Sequence, residues 1–260
     1  MRDLRARVPR VLLLDADGNL FPSEEPAFAA SSGVTNRFLA SLGVQARYTP
    51  EHLLATTTGK SFRTTAVELA SVHGVALEPA PQAVGATSDR ALTAAALERW
   101  VAEERQVVSS HLGRVLRPDA RVLEPVRQLA ARFPIAAVSS SALSRLDTCF
   151  RAAGLAELIP PERRFSAEDS LPQPTSKPDP AVYRLAAQRL GLPAERGLAV
   201  EDSSTGARSA TGAGIPTIGN LRFVAPGERE QRTTELIDAG VCAIISSWTQ
   251  LERLLATDDR

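Results

Sequence analysis

Short continuous apolar runs alternate with amphipathic helical patterns along most of the chain. None of these runs alternates apolar with polar positions, so each is typical of a strand buried on both faces of a parallel sheet. The predicted strands are Val11–Leu14, Ile135–Val138, Leu198–Val200, Pro216–Ile218 and Val241–Ile245. The predicted helices between them are Leu123–Arg132, Ser144–Ala153, Ala181–Leu190 and Ser204–Ala213. Alternation of this kind predicts an α/β fold with a parallel, doubly wound, Rossmann-like sheet.

Residues 24–110 interrupt this alternation between the first two predicted strands. They contain few β-branched runs and many helix formers, with an alanine-rich helical pattern at Asp89–Val108. Prolines and glycines break the segment at intervals, as in the stretch Glu78–Pro81. The sequence therefore predicts two domains, with an α/β core from 1–23 and 111–260 and a helical insertion over 24–110.

The composition is that of an ordinary globular protein. Acidic and basic residues balance at 30 each, so there is no reason to expect nucleic acid or an anionic membrane as a partner. The apolar run near the N-terminus is too short for a signal peptide, and no segment approaches the roughly 20 apolar residues of a membrane span. Cys149 and Cys242 are far apart and form no CxxC pair, so we expect buried thiols and a cytoplasmic location.

Asp15 and Asp17 follow the first predicted strand at a spacing of two. On an extended chain both carboxylates point the same way, at the sheet edge where open α/β folds bind ligands. Adjacent carboxylates repel unless a cation lies between them or one keeps its proton, and both solutions suit phosphoryl transfer. An Asp-Gly turn with solvated acids explains these two residues equally well.

Three serines, Ser139 to Ser141, follow the next predicted strand. The hydroxyls of Ser139 and Ser140, with free backbone N–H groups, are candidates to bind phosphate oxygens. Taken alone, the serines are more simply explained as N-caps of the following helix.

Lys177 lies in a proline-rich loop, Ser170–Pro180, and is one of only two lysines, the other being Lys60. A lysine is a compact charge that can neutralise a phosphoryl group and a nearby carboxylate. The alternative is a solvated loop residue, but the other basic residues are all arginines, so an indifferent position favours arginine.

Glu201 and Asp202 close the strand predicted at Leu198–Val200. Acids at this strand end can complete a magnesium site, because Mg²⁺ prefers hard oxygen ligands and binds few carboxylates. The alternative is a pair of acids favoured by the dipole of the following helix.

These four segments together resemble the motifs of the haloacid dehalogenase superfamily. The matching segments are DADGNLFPSEEP, VSSS, SKPDPAVYRLAAQRLG and VEDSSTGARSATGAGIPTIG, in that order. The resemblance covers nearly the whole chain and is weakest over 24–110. It is to the phosphatase-like branch with an α-helical C1-type cap, which includes β-phosphoglucomutases and sugar phosphatases.

The resemblance implies a role for each motif residue. Asp15 is the expected nucleophile and Asp17 the expected general acid and base. Ser139 and Lys177 are expected to bind the phosphoryl group. Mg²⁺ is the expected cofactor, held by Asp15, the backbone carbonyl of Asp17 and Asp202, with Glu201 close by or a direct ligand.

Some positions depart from the family pattern or separate its branches. Asn19 stands where the family usually has threonine or valine, and Pro22 stands where many relatives carry an acid. Asp17 argues against the dehalogenase and phosphonatase branches, which lack that acid. Ala27 replaces a histidine that β-phosphoglucomutases use, which disfavours a mutase.

In the inserted segment, Lys60 and Arg63 are candidates to contact an anionic leaving group. A helix N-terminus with a Ser/Thr cap and exposed bases explains them equally well. The sequence therefore predicts a Mg²⁺-dependent phosphatase that hydrolyses a small phosphorylated metabolite, such as a sugar phosphate, through an aspartyl-phosphate. The alternatives are a phosphosugar mutase and a catalytically silent binding protein on the same fold.

Overall fold

The computed structural model describes residues 9–57, 60–77 and 91–256, and eight β-strands lie within them. In chain order the strands are β1 (Val11–Leu14), β2 (Ala76–Leu77), β3 (Ala91–Leu92), β4 (Ile135–Ser139), β5 (Arg164–Ser166), β6 (Gly197–Glu201), β7 (Thr217–Asn220) and β8 (Ala243–Ile245). The predicted stretch Glu78–Pro81 and the start of the predicted helix at Asp89 lie outside the described residues.

The same residues form ten α-helices. They are α1 (Glu24–Ser41), α2 (Pro50–Thr57), α3 (Phe62–Val72), α4 (Ala94–Val115), α5 (Ala120–Arg132), α6 (Leu143–Ala152), α7 (Ala181–Arg189), α8 (Ser204–Gly212), α9 (Arg229–Asp238) and α10 (Trp248–Ala256). Among the helices of the described residues, none is long and apolar enough to cross a membrane.

A six-stranded parallel sheet in the order β5-β4-β1-β6-β7-β8 organises one of two units into which the chain divides. The described part of this unit comprises 9–23 and 116–256. β1 is central, with Leu14 opposite Ala137 of β4 on one side and Val200 of β6 on the other. Strand order changes direction at β1, and in open α/β sheets this switch point is where a ligand-binding crevice opens.

The predicted α/β class with a doubly wound parallel sheet is confirmed. All four residues of β1 are buried, as a run of apolar residues without alternation predicts. The five predicted strands and the four predicted helices of this unit are present, with ends displaced by up to three residues. Strand β5 and helices α9 and α10 were not predicted from the sequence.

The second unit spans 24–115 and contains the first four helices and a small parallel pair of β2 with β3. Helix α1 packs along α4, with an ion pair between Arg37 and Glu103 at 2.7 Å. Phe38 lies between the rings of Phe62 and Trp100 in edge-on contacts. This unit therefore has an apolar core of its own, although the two short strands were not expected in it.

The division between the units follows Val115 instead of residue 110, because α4 continues five residues past the boundary that we predicted. The last turns of α4 bury Val108 and Leu112. An amphipathic helix of this kind can continue as long as its apolar face is buried against other residues. A change in amino-acid composition along the chain does not mark the residue at which that burial ends.

Candidate active site

Asp15, Lys177 and Glu201 form a buried ion-pair cluster at the carboxyl end of the central strands. Lys177 Nζ donates to Asp15 Oδ1 at 2.5 Å, to Glu201 Oε1 at 2.7 Å and to the carbonyl of Val138 at 2.9 Å. β1 delivers Asp15, β6 ends at Glu201, and the loop before α7 brings in Lys177. The side chain of Lys177 is only 6% exposed, which excludes the alternative of a solvated loop residue.

Asp202 completes a group of three acids with Asp15 and Glu201. One carboxylate oxygen of each lies within 4.8 Å of the others, and all three residues are buried. Lys177 is a single positive charge that already bridges two of the three acids. A buried set of hard oxygen donors with surplus negative charge fits a divalent cation such as Mg²⁺.

Glu201 provides a more specific indication for a cation. Its Oε1 accepts from Lys177 and from the hydroxyl of Tyr183, the latter at 2.5 Å. Its Oε2 is buried and has no hydrogen-bond partner among the described residues. Because a buried carboxylate oxygen without a partner is costly, this atom suits direct or water-mediated contact with a metal ion.

The charges of this cluster shift the proton affinities of its members. Burial raises the pKa of Asp15 well above its ordinary value; Lys177 opposes this shift and the Glu201 carboxylate adds to it. Burial lowers the pKa of Lys177, but Asp15 and Glu201 outweigh burial, so that pKa lies above its ordinary value. Lys177 therefore remains a cation.

Asp17 lies in a separate arrangement of donors. Its Oδ1 accepts from Ser23 Oγ at 2.5 Å and from Arg145 Nη2 at 3.2 Å. Its Oδ2 accepts from Ser141 Oγ at 2.8 Å and from Ser139 Oγ at 3.2 Å. Burial raises the pKa of Asp17, but Arg145 and the hydroxyls outweigh burial, so that pKa lies below its usual value.

The turn after β1 explains how Asp17 is oriented. Gly18 has a φ of 73°, a backbone conformation that glycine adopts without strain, and its N–H donates to Phe21 O. An Asp-Gly turn is therefore present, as one interpretation of the sequence expected. Its acids are not solvated, however, because Asp15 is buried and the side chain of Asp17 is 18% exposed.

The serines after β4 do not cap α6. The N-cap position of α6 is Ala142, and the N–H of Leu143 donates instead to Asp169 Oδ2 at 2.7 Å. Ser139 Oγ accepts from the N–H of Ser141 at 2.9 Å, and Ser140 Oγ accepts from the N–H of Lys177 at 3.1 Å. Ser139 thus connects β4 to Asp17, and Ser140 connects it to the loop that carries Lys177.

Asn19 bridges two strand ends beside this cluster. Its Nδ2 donates to the carbonyls of Asp15 and Val200, at 2.9 and 3.0 Å. Its Oδ1 accepts from Asn220 Nδ2 at 2.8 Å, and both asparagines are fully buried. Pro22, the other departure from the family pattern, is exposed.

The two candidates in the second unit are engaged in ion pairs within that unit. Lys60 Nζ lies 2.6 Å from Glu68 Oε2, and the guanidinium of Arg63 pairs with both carboxylate oxygens of Glu98. Between them, Ser61 is the N-cap of α3 and accepts from the N–H of Thr64. A capped helix start therefore exists here, and a role of Lys60 and Arg63 in substrate binding stays a prediction. Gly59 of the same segment lies outside the described residues.

Five residues of the site were not singled out from the sequence, namely Tyr183, Arg145, Ser141, Asn220 and Ser23. Tyr183 lies on a helix where its position has the pattern of a core residue, and Arg145 lies on one where its position has the pattern of a surface residue. Their roles in the site depend on contacts between distant segments of the chain. Ser141 belonged to the serine run but was not named as a site residue. No sequence pattern indicated a role for Asn220, because its hydrogen-bond partner Asn19 is 201 positions away in the chain.

Comparison with known proteins agrees with this fold. Residues 9–214 match the sequence profile of haloacid dehalogenase-like hydrolases. The chain is 32% identical over 237 residues to the protein CbbY of Cereibacter sphaeroides, covering 88% of this chain and 91% of that one.

Two solved structures share the fold over nearly their full length. One is a hydrolase from Deinococcus radiodurans with bound phosphate and sodium, at 25% identity and a TM-score of 0.62, covering 96% of each chain. The other is a variant of CbbY from Rhodobacter sphaeroides in complex with xylulose-1,5-bisphosphate, at 23% identity and a TM-score of 0.63, covering 94% of this chain and 96% of that one.

The parallel sheet, with a buried acid cluster at its switch point, places this chain among the α/β enzymes that bind ligands at the carboxyl ends of their strands. The chain belongs to the haloacid dehalogenase-like hydrolase family and is a phosphatase of that family.

Proposed function

We propose that this phosphatase uses Mg²⁺ to hydrolyse a small phosphorylated metabolite, such as a sugar phosphate, through an aspartyl-phosphate on Asp15. The observation that carries the proposal is the buried cluster in which Asp15, Glu201 and Asp202 converge while Lys177 bridges two of them. Such a cluster provides a nucleophile, a cation site and a fixed positive charge within one crevice.

Asp15, Asp202 and the backbone carbonyl of Asp17 would hold the metal ion, with Glu201 as a further ligand or a close neighbour. The unpartnered Oε2 of Glu201 supports this assignment. When bound, Mg²⁺ supplies positive charge that offsets the charge of the phosphoryl oxygens.

In the first half of the reaction, the phosphoryl group is transferred to Asp15, and each of the surrounding side chains has a separate role. Asp15 attacks phosphorus and forms the aspartyl-phosphate, while the leaving oxygen departs with a proton from Asp17. Lys177 stabilises the phosphoryl charge, because its ammonium group is already held at the nucleophile. Ser139 and Ser140 provide hydroxyls at the end of β4 that can contact phosphoryl oxygens.

Asp17 also serves the second half of the reaction, in which water breaks the aspartyl-phosphate. A carboxylate is the form that removes a proton from water, and Arg145 with three hydroxyls favours that form. Returning this proton to the next leaving group completes the cycle.

A phosphorylated sugar is the proposed substrate class because the homologous CbbY is known in complex with a sugar bisphosphate. Lys60 and Arg63 are proposed to contribute to the choice of leaving group. Each is paired with a glutamate in the structure, so an anionic group of the substrate has to compete with Glu68 or Glu98 for it.

The test is phosphate release from p-nitrophenyl phosphate and from a panel of sugar mono- and bisphosphates, with and without Mg²⁺. Asp15→Asn is expected to abolish Mg²⁺-dependent release, whereas the exposed Asp238→Asn serves as a matched control with normal release. Asp17→Asn is expected to lower turnover strongly while Mg²⁺ binding persists. Substantial turnover by Asp15→Asn would falsify the proposed nucleophile.

The panel also separates the two alternatives. A phosphosugar mutase converts one sugar phosphate into its isomer and releases little phosphate, so products are analysed by chromatography as well as by phosphate assay. The absence of any reaction across the panel supports a silent binding protein. Ala27, which stands where mutases use a histidine, is buried in α1 and favours hydrolysis over mutase chemistry.

A further inference from the structure

Beyond the last backbone hydrogen bond between β1 and β6, the side chain of Asn19 adds one further link. The final backbone bond runs from the N–H of Asp15 to the carbonyl of Val200, at 3.0 Å. Asn19 Nδ2 then donates to that same Val200 carbonyl and to the carbonyl of Asp15. The amide therefore holds the two strand ends together where the backbones no longer pair.

These two carbonyls belong to the peptide units that carry the acid cluster. Asp15 is the proposed nucleophile, and Val200 immediately precedes Glu201 and Asp202. A shift of one strand end against the other changes the distances among the three carboxylates, whose oxygens now lie within 4.8 Å of one another. The position of Asn19 thus bears directly on the geometry of the proposed metal site.

Asn220 extends the link to a third strand. It is the last residue of β7, its Nδ2 donates to Asn19 Oδ1, and its own Oδ1 accepts from the N–H of Arg222. Asn19 therefore uses both of its N–H donors and at least one acceptor position, and each asparagine fixes the orientation of the other. Since both are fully buried, losing one partner leaves the other amide unsatisfied.

The residue types that the family usually has at position 19 cannot replace this arrangement. Threonine has one hydroxyl donor and can satisfy one of the two carbonyls, while valine has none. The departure from the family pattern at Asn19 is thus matched by a partner, Asn220, on another strand.

We propose that Asn19 and Asn220 act together as positioning residues, which fix the spacing of Asp15 relative to Glu201 and Asp202 and thereby the affinity for Mg²⁺. This inference rests on the metal site of the proposed function. Replacement of residues that orient metal ligands without binding the metal themselves typically changes metal affinity by about 10- to 100-fold.

The experiment measures Mg²⁺ binding to the purified full chain by isothermal titration calorimetry, and thermal unfolding with EDTA present. Asn19→Thr is expected to raise the dissociation constant for Mg²⁺ about tenfold. Asn220→Ala is also expected to weaken Mg²⁺ binding, and this variant tests the inference if Asn19→Thr does not fold. The double variant is expected to bind no more weakly than Asn19→Thr, because residues that act as one unit are not additive.

Thr217→Val is the matched control. Thr217 lies on β7 like Asn220, is equally buried, and donates from Oγ1 to the carbonyl of Ile215 at 2.9 Å. It is expected to lower thermal stability while leaving the dissociation constant for Mg²⁺ within twofold of wild type. If Asn19→Thr and Asn220→Ala also bind Mg²⁺ as the wild type does, the inference is wrong although the metal site stands. If the wild type binds no Mg²⁺, the proposed metal site fails and the inference fails with it.

Discussion

The hydroxyl of Tyr183 donates to Glu201 Oε1 over 2.5 Å, within a core where both side chains are fully buried. The same oxygen accepts from Lys177, whose ammonium lies 5.3 Å from the centre of the Tyr183 ring. A residue of α7 thus holds the carboxylate at the end of β6, and through it the lysine that bridges to Asp15.

Tyr183→Phe removes this hydroxyl while keeping the ring. Because a hydrogen bond to a buried charged group is lost, the free energy of unfolding is expected to fall by about 1.5–3 kcal/mol. Urea unfolding monitored by circular dichroism measures the change. The second tyrosine provides the control: Tyr48→Phe removes a half-buried bond to His73 and is expected to cost about 1 kcal/mol. Equal losses for the two variants contradict a special role for Tyr183.

Gly206→Ala tests how closely α8 approaches Glu201. A Cβ added at position 206 would lie 1.8 Å from Glu201 Oε2, so the carboxylate or the helix has to move. We expect a destabilisation of about 1–3 kcal/mol or more, together with weaker Mg²⁺ binding. Gly212→Ala in the same helix is the control, because its added Cβ meets nothing closer than Pro180 Cβ at 3.6 Å. That variant is expected to be neutral or slightly stabilising, and a harmless Gly206→Ala would show that Glu201 is free to move.

Arg145→Gln removes the cation that holds Asp17. Three hydroxyls remain around the carboxylate, but its orientation and charge state are less well defined. We expect kcat for an aryl phosphate to fall by about tenfold, a part of what general acid–base catalysis typically contributes. Arg151→Gln, on the same helix but paired with Asp147 at the surface, is expected to retain wild-type kcat. If Arg145→Gln also retains it, Arg145 does not position Asp17.

Asp119 predicts a pH-dependent contribution to stability. It is the N-cap of α5, accepts from the N–H of Arg121, and lies 2.6 Å from Arg222 Nη2. Burial raises the pKa of Asp119, but these partners outweigh burial, so that pKa lies below its usual value. Its contribution is therefore fully present above the unfolded-state pKa of about 3.9 and is lost as pH falls through the lower folded-state value.

Asp119→Asn keeps a capping side chain and removes the charge. In urea unfolding we expect the wild type to be the more stable protein at pH 7, and the difference to shrink as pH falls below about 4. The same comparison in an Arg222→Gln background should show a smaller difference at pH 7. A gap that widens toward acid pH contradicts the assigned sign.

The sheet was predictable where burial alone determines a strand. β1, β4 and β6 are apolar on both faces, so their sequences show the continuous runs that parallel sheets require. β5 has no such run because it begins at Arg164. That guanidinium is nevertheless buried, since it donates to the carbonyl of Ile159 and lies over the ring of Phe150. These contacts between separate segments have no local pattern.

The same limit applies to the site. Strand ends meet at one edge of a parallel sheet, so the sequence could predict that the acids of β1 and β6 and the rare Lys177 belong to one site. Tyr183 could not be assigned to this site, since a tyrosine on the apolar face of α7 has the pattern of an ordinary core residue, and its contact with Glu201 depends on the packing of that helix. In the second unit, α4 continues past its predicted end with Leu112 buried, and it ends at Val115, three residues before Pro118.

The contrast between the two lysines has a practical consequence. Lys177 is buried in its ion pairs, whereas the side chain of Lys60 is 40% exposed. Amine-reactive reagents should therefore modify the folded protein at Lys60 and leave Lys177 untouched. A fluorophore or a solid support attached through a lysine side chain then occupies Lys60 in the second unit, and this attachment leaves the lysine of the proposed phosphoryl-transfer centre chemically unchanged.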